Sequence, residues 1–122
     1  MPSASPDEPV VFDRKLALYH AGDEPEVLRA IVEMFLDQVS ERIGALEAAI
    51  RDEDAPALER AAHALKGTAA TLALAKVQEA AYALEQLGSV GHPSEAPPRV
   101  AELRKAVDEA APALRGVLAV GS

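Results

Sequence analysis

The sequence contains no cysteine. Disulfides, thiol catalysis and Cys-ligated zinc are therefore excluded. Tryptophan is absent too, and aromatic residues make up only 3% of the 122 residues. Hydrophobic residues nonetheless reach 49%, and they are mostly Ala, Leu and Val, a mixture that favours helix over strand. Cations are in the minority: 12 Lys and Arg face 20 Asp and Glu, for a formal net charge of −8. That balance argues against nucleic acid as a partner, because phosphate neutralisation needs clustered Lys and Arg. It argues equally against docking on an anionic membrane. No stretch approaches the roughly 20 apolar residues of a membrane span. Residues 1–9, MPSASPDEP, have neither the basic start nor the apolar run of a signal peptide. A cytoplasmic protein is the expectation, and the length suits one domain with one modest core.

What is present is periodic. Residues 1–10, rich in Pro, Ser and acid, read as a disordered tail, and residues 11–120 as the folded domain. Residues 12–20 suit a short helix with Asp13 as N-cap and Phe12, Leu16 and Tyr19 on one side. Asp23-Glu24-Pro25-Glu26 is a helix start, with Asp23 able to cap and Pro25 in the first turn. Leu28, Ile31, Val32, Phe35, Leu36, Val39, Ile43, Leu46 and Ile50 then follow at steps of three and four, one apolar stripe on a helix of about 27 residues. Asp54-Ala55-Pro56 opens a third helix with the stripe Leu58, Ala62, Leu65, Ala69 and Leu72. A fourth runs over about 76–87 on Val77, Ala80, Ala81, Leu84 and Leu87, and residues 88–93 read as a loop by composition. The last helix begins within 94–98, carries Val100, Leu103, Val107, Ala110, Leu114 and Leu118, and should kink at Pro112. Four amphipathic helices with short connections bury their stripes only against one another. The predicted fold is all-α, an antiparallel up-down-up-down four-helix bundle with a short extra N-terminal helix.

Three histidines are available. His20 and His92 read as solvated surface residues, His20 with a charge suited to a helix C-terminus. His63 has different company: Ala62-His63-Ala64-Leu65-Lys66-Gly67-Thr68-Ala69-Ala70. At about 100° per residue it stands beside the buried stripe, on the flank of the bundle, with Lys66 and Gly67 on its own face. Mid-helix Gly costs about 1 kcal/mol relative to Ala, so in an Ala-rich chain Gly67 suggests clearance beside the imidazole. Lys66 favours an anion there, and phosphoryl is the natural candidate. A nucleophilic imidazole needs one nitrogen free and the other donating its proton to an acceptor. Glu85 on the fourth helix is the expected acceptor, with Tyr82 lining the site.

Residues 62–70 resemble the signature of the histidine phosphotransfer (HPt) domains of bacterial multistep phosphorelays, and the helical layout of residues 12–118 is similar to that family's. The resemblance implies that His63 is the phosphoacceptor, that Lys66 stabilises the phosphoryl group, that Gly67 makes room for the partner, and that Glu85 bonds the imidazole, with Tyr82 nearby. It implies partners as well: receiver domains of response regulators or a hybrid histidine kinase. Such a domain is a phosphocarrier and not an enzyme in its own right; it has no ATP site and no cofactor, the Mg²⁺ belonging to the receiver. Members commonly carry Gly ten residues after the His, where this chain has Ala73, which leaves the end of the His helix open to question.

Two rival readings remain. A metal site could use Glu59, His63 and Glu85, although Lys66 would repel a cation. Alternatively, the bundle could dock a receiver or kinase without carrying phosphate. For docking, Glu59, Arg60 and Ala70 flank the His, and Gln38, Arg42 and Ile43 are the rim candidates on the second helix. A monomer is expected, since one bundle already buries its stripes.

Overall fold

The computed structural model describes residues 11–119. The expected tail, residues 1–10, lies outside them. The described residues form five α-helices and no strand. They are α1 (Arg14–His20), α2 (Pro25–Arg51), α3 (Ala55–Thr71), α4 (Ala75–Ser89) and α5 (Pro97–Ala119), with one 3₁₀ turn, Pro93–Glu95, before α5. The short turns make α2, α3, α4 and α5 alternate in direction, and each packs on the next, with α5 closing back on α2. The closest pairing is α3 with α4. No helix among the described residues is long and apolar enough to cross a membrane.

The stripes turn inward as the spacing predicts. Leu46, Leu58, Leu65, Leu72, Leu74, Leu84, Leu103 and Leu114 are fully buried, and no polar or charged residue among the described residues is buried with them. Each such leucine contributes roughly 1.5–3 kcal/mol by leaving water. Asp54 caps α3 by accepting from Ala57 N at 3.0 Å, and Asp13 caps α1 by accepting from Leu16 N at 3.0 Å.

Four local expectations need correction. Asp23 does not cap α2: α1 ends with Gly22 left-handed and Asp23 N bonded to Leu18 O, which puts Asp23 itself at φ 61°, and Glu24 takes the cap position with no side-chain bond. On α1 the inward residues are Ala17 and Ala21, with Phe12 and Leu18 packed beside them, while Leu16 and Tyr19 stand out at 43% and 68% exposure. The small pair lets α1 lie close across the α3–α4 turn, where Asp13 N donates to Ala73 O and His20 Nδ1 to Thr71 O, both near 3 Å. Helix α4 continues to Ser89, so Gly88 is a buried helical residue and not part of a loop. Ile43 is 4% exposed and faces the core; it sits between Val39 and Leu46 in the α2 stripe and cannot serve as a docking rim. Pro112 lies inside α5, where the sequence pattern placed it.

Candidate functional site

His63 sits in the middle of α3, one position past buried Ala62, and its side chain is 69% exposed. Mid-helix placement fixes its backbone, and the adjacent stripe fixes the face it occupies. Across the α3–α4 seam, Glu85 follows buried Leu84 and is turned toward α3, its side chain only 16% exposed. The two meet at 2.6 Å, His63 Nδ1 to Glu85 Oε2. An ionised carboxylate can only accept, so Nδ1 carries the proton and donates it. When the ring is neutral, Nε2 is then the nitrogen with the free lone pair.

Lys66, one turn beyond His63 and half-buried, places Nζ 2.6 Å from the other carboxylate oxygen, Oε1. Oε1 is itself buried, so the ammonium is the group that faces it. Lys66 holds the Glu85 carboxyl below its ordinary range; desolvation pushes the other way, and His63 adds to the lowering. The ammonium also lies 5.2 Å from the centroid of the Tyr82 ring, within cation–π range. Tyr82 is exposed and lines the open side. His63, Lys66, Tyr82 and Glu85 therefore form one contiguous cluster. Its ordering ion pair, Lys66 to Glu85, is a contact that reading Lys66 as a phosphoryl-binding residue alone does not anticipate.

Gly67 lies one turn from His63, exposed, and a Cβ built there would meet nothing within 4 Å. Packing within the chain does not require glycine at that position. Thr71 Oγ1 donates to Gly67 O at 3.1 Å, back along the same helix. Glu85 turns one oxygen to His63 and the other to Lys66, whose ammonium would repel a cation in the Glu59–His63–Glu85 alternative. Among the described residues no group of three His or acidic side chains gathers as metal ligands.

The surroundings divide as follows. Arg60 is exposed, and Glu59 and Ala70 are half-buried. On α2, Gln38 and Arg42 are half-buried and bonded to each other at 3.2 Å, with exposed Met34 one turn before Gln38. A groove of about 370 Å³ runs from Ala70 to α1, lined by Leu16, His20, Ala73 and Gln78. Sequence reasoning placed His20 at the surface but missed Leu16 there, because amphipathic patterning assigns large apolar residues inward. The clue was the Ala17–Ala21 pair, small enough to be the packing face.

A comparison with curated proteins finds no match. Among solved structures, the histidine-containing phosphotransfer protein B (HptB) from Pseudomonas aeruginosa PAO1 superposes with a TM-score of 0.79 at 19% identity, over 87% of this chain and 92% of that one. The HPT domain of a sensor hybrid histidine kinase from Shewanella also gives 0.79, at 18% identity, over 92% of this chain and 97% of that one. These likenesses establish the shared helical-bundle fold. The family model of the Hpt domain matches residues 30–113, a span that includes every residue of the His63 cluster, and the chain belongs to that family, the histidine phosphotransfer domains of phosphorelay signalling.

Proposed function

We propose that His63 is the residue that carries the phosphoryl group. The supporting observation is the 2.6 Å bond from Nδ1 to Glu85, which leaves Nε2 as the exposed nucleophile. In the forward step the Nε2 lone pair attacks the phosphorus of a receiver's aspartyl phosphate. The N–P bond forms, the P–O bond to the aspartate breaks, and the aspartate leaves as a carboxylate. The ring gains positive character as this happens, and ionised Glu85 at Nδ1 offsets it. Lys66 keeps Glu85 ionised and stands one turn from the incoming anion. Gly67 keeps the approach to Nε2 open. Tyr82 borders the site.

The reading makes this chain a phosphocarrier and not an enzyme. It needs no cofactor here; Mg²⁺ belongs to the receiver. Receivers of response regulators or of a hybrid kinase are the partners, and the protein works as a cytoplasmic monomer. The docking face is the strip of α3 at exposed His63 and Gly67 and half-buried Ala70, continued by Leu16 on α1. Arg60, Glu59, Gln38 and Arg42 form its border.

The test is transfer from a phosphorylated receiver. The wild type should acquire acid-labile label, and His63→Gln should acquire none. Gly67→Leu should keep its helix content yet label much more slowly, because the added side chain occupies the approach. Label that persists in His63→Gln, or a wild type that binds the receiver without acquiring label, would defeat the proposal.

A further inference from the structure

Buried Gly88 has no role in the chemistry, yet no other glycine sits so tightly among the described residues. A Cβ built there would lie 2.6 Å from Glu59 N, 2.9 Å from Glu59 Cα and 2.9 Å from Ala55 O. All three atoms are α3 backbone, so no side chain can rotate away to make room. By contrast, Gly44, Gly67 and Gly116 would meet nothing within 4 Å. The last turn of α4 therefore rests directly on the first turns of α3, closer than any other residue type allows.

That contact lies beside the His63 cluster on both helices. Gly88 is one turn after Glu85 on α4, and Glu59 is one turn before His63 on α3. Lengthening the separation at Gly88 must lengthen it at Glu85. We infer that Gly88 is a positioning residue for the candidate site: it sets the α3–α4 spacing at which the Glu85 carboxylate reaches His63 Nδ1 and Lys66 Nζ, both at 2.6 Å. A Cβ at position 88 needs the α3 backbone to retreat by about 0.8 Å to reach ordinary contact at 3.4 Å. A carboxylate at 2.6 Å that recedes by a comparable amount no longer holds the imidazole proton firmly.

The consequence for phosphotransfer rests on His63 being the acceptor. The consequence for the tautomer does not, and the two are read separately. The experiment compares Gly44→Ala with the double variant Gly44→Ala/Gly88→Ala in the full chain. The alanine at 44 fills open space on an exposed helix face and supports folding. Imidazole ¹⁵N shifts in histidine-labelled protein report the tautomer of His63. With Gly44→Ala alone, Nδ1 should read as protonated and Nε2 as free. Adding Gly88→Ala should shift the ring toward the Nε2–H form that an unconstrained histidine side chain prefers. Transfer from a phosphorylated receiver should slow by as much as about 10²-fold, the penalty of an ångström-scale misplacement.

A second cycle removes Glu85. In a Glu85→Ala background, Gly88→Ala should leave the His63 shifts unchanged, because the group it positions is gone. That cycle also separates positioning from loosening of the fold, and partly loosened variants can be read at low temperature where circular dichroism shows native helix. Unchanged His63 shifts in folded Gly88→Ala protein would overturn the inference. So would an equal response with and without Glu85. If the tautomer responds as expected but no variant ever carries label, the positioning role stands and the phosphotransfer reading fails.

Discussion

Glu85 is the residue on which the site depends, because it touches both of its neighbours at once. Its carboxyl is held below the ordinary value of 4.5, first by Lys66 and then, against the opposing effect of desolvation, by His63. A carboxyl lowered in the folded state contributes stability that is fully present above its unfolded value. That contribution is lost as pH falls through the folded value. Urea unfolding of the wild type and of Glu85→Gln should therefore differ most above about pH 5 and converge as the solution is taken below the ordinary carboxylate range. A stability gap that stays constant down to the acid limit would show that the carboxylate charge is not what holds the cluster. Much of this site was legible in the sequence. His63, Lys66 and Gly67 stand out from an Ala-rich helix because packing did not require them. Glu85 follows from the need for an acceptor on the next helix. The ion pair was not legible: that Lys66 bonds Glu85 depends on the inter-helix distance, which periodicity does not encode.

At the scale of the helix, four successive helices end the same way. After α1, α2, α3 and α4 the next residue but one is left-handed: Gly22, Glu53, Ala73 and Gly91. In each case the following amide reaches back five residues, as Asp54 N does to Ala49 O at 2.8 Å and Leu74 N to Ala69 O at 2.9 Å. This answers the question posed by Ala73. The turn keeps the geometry that suits glycine, and α3 ends at Thr71 with its backbone strained by a Cβ. A left-handed L-residue costs roughly 1–2 kcal/mol. Glu53 is exposed, so Glu53→Gly should recover about 1 kcal/mol with little lost in exchange. Ala73 is buried, and deleting its methyl forfeits up to about 0.8 kcal/mol of burial. Ala73→Gly should therefore gain less than Glu53→Gly, in denaturant midpoints measured at constant slope. If Ala73→Gly gained as much or more, the buried methyl would be contributing nothing. The helices themselves followed from stripes at steps of three and four, and α2 has the bounds its pattern implied. Their ends were less readable, because a left-handed residue is announced by Gly at 22 and 91 but by nothing at 53 or 73. Gly88 misled for the same reason: composition marks it as a breaker, whereas its neighbour across the seam makes it a packing residue.

At the scale of the whole molecule, the exposed large apolar residues are unevenly placed relative to His63. Leu16 lines the groove that leads to Ala70, two turns along α3 from His63, and Tyr82 borders the cluster on α4. Val90 stands at the far end of α4, in the turn before α5. A chain with net charge −8 does not attract an acidic phosphorylated partner at long range. Affinity must then come from apolar contact close to the histidine, with Lys66 and Arg60 as the local cations. An apolar anchor at the centre of such a contact is worth at least about 1 kcal/mol, and 1.4 kcal/mol is tenfold in affinity. Leu16→Asp should therefore weaken receiver binding about fivefold or more. Val90→Asp, also exposed but at the opposite end of α4 from the groove, should leave it unchanged. Both should keep the thermal midpoint of the wild type, since neither side chain is buried in the core. The measurement is isothermal titration against a receiver held in its phosphorylated form by a phosphate mimic, with circular dichroism melts of each variant. Equal losses at 16 and 90 would mean that charge alone was felt. No loss at 16 would confine docking to α3 and α4, with α1 serving only to tie down the end of the histidine helix through Thr71 and Ala73.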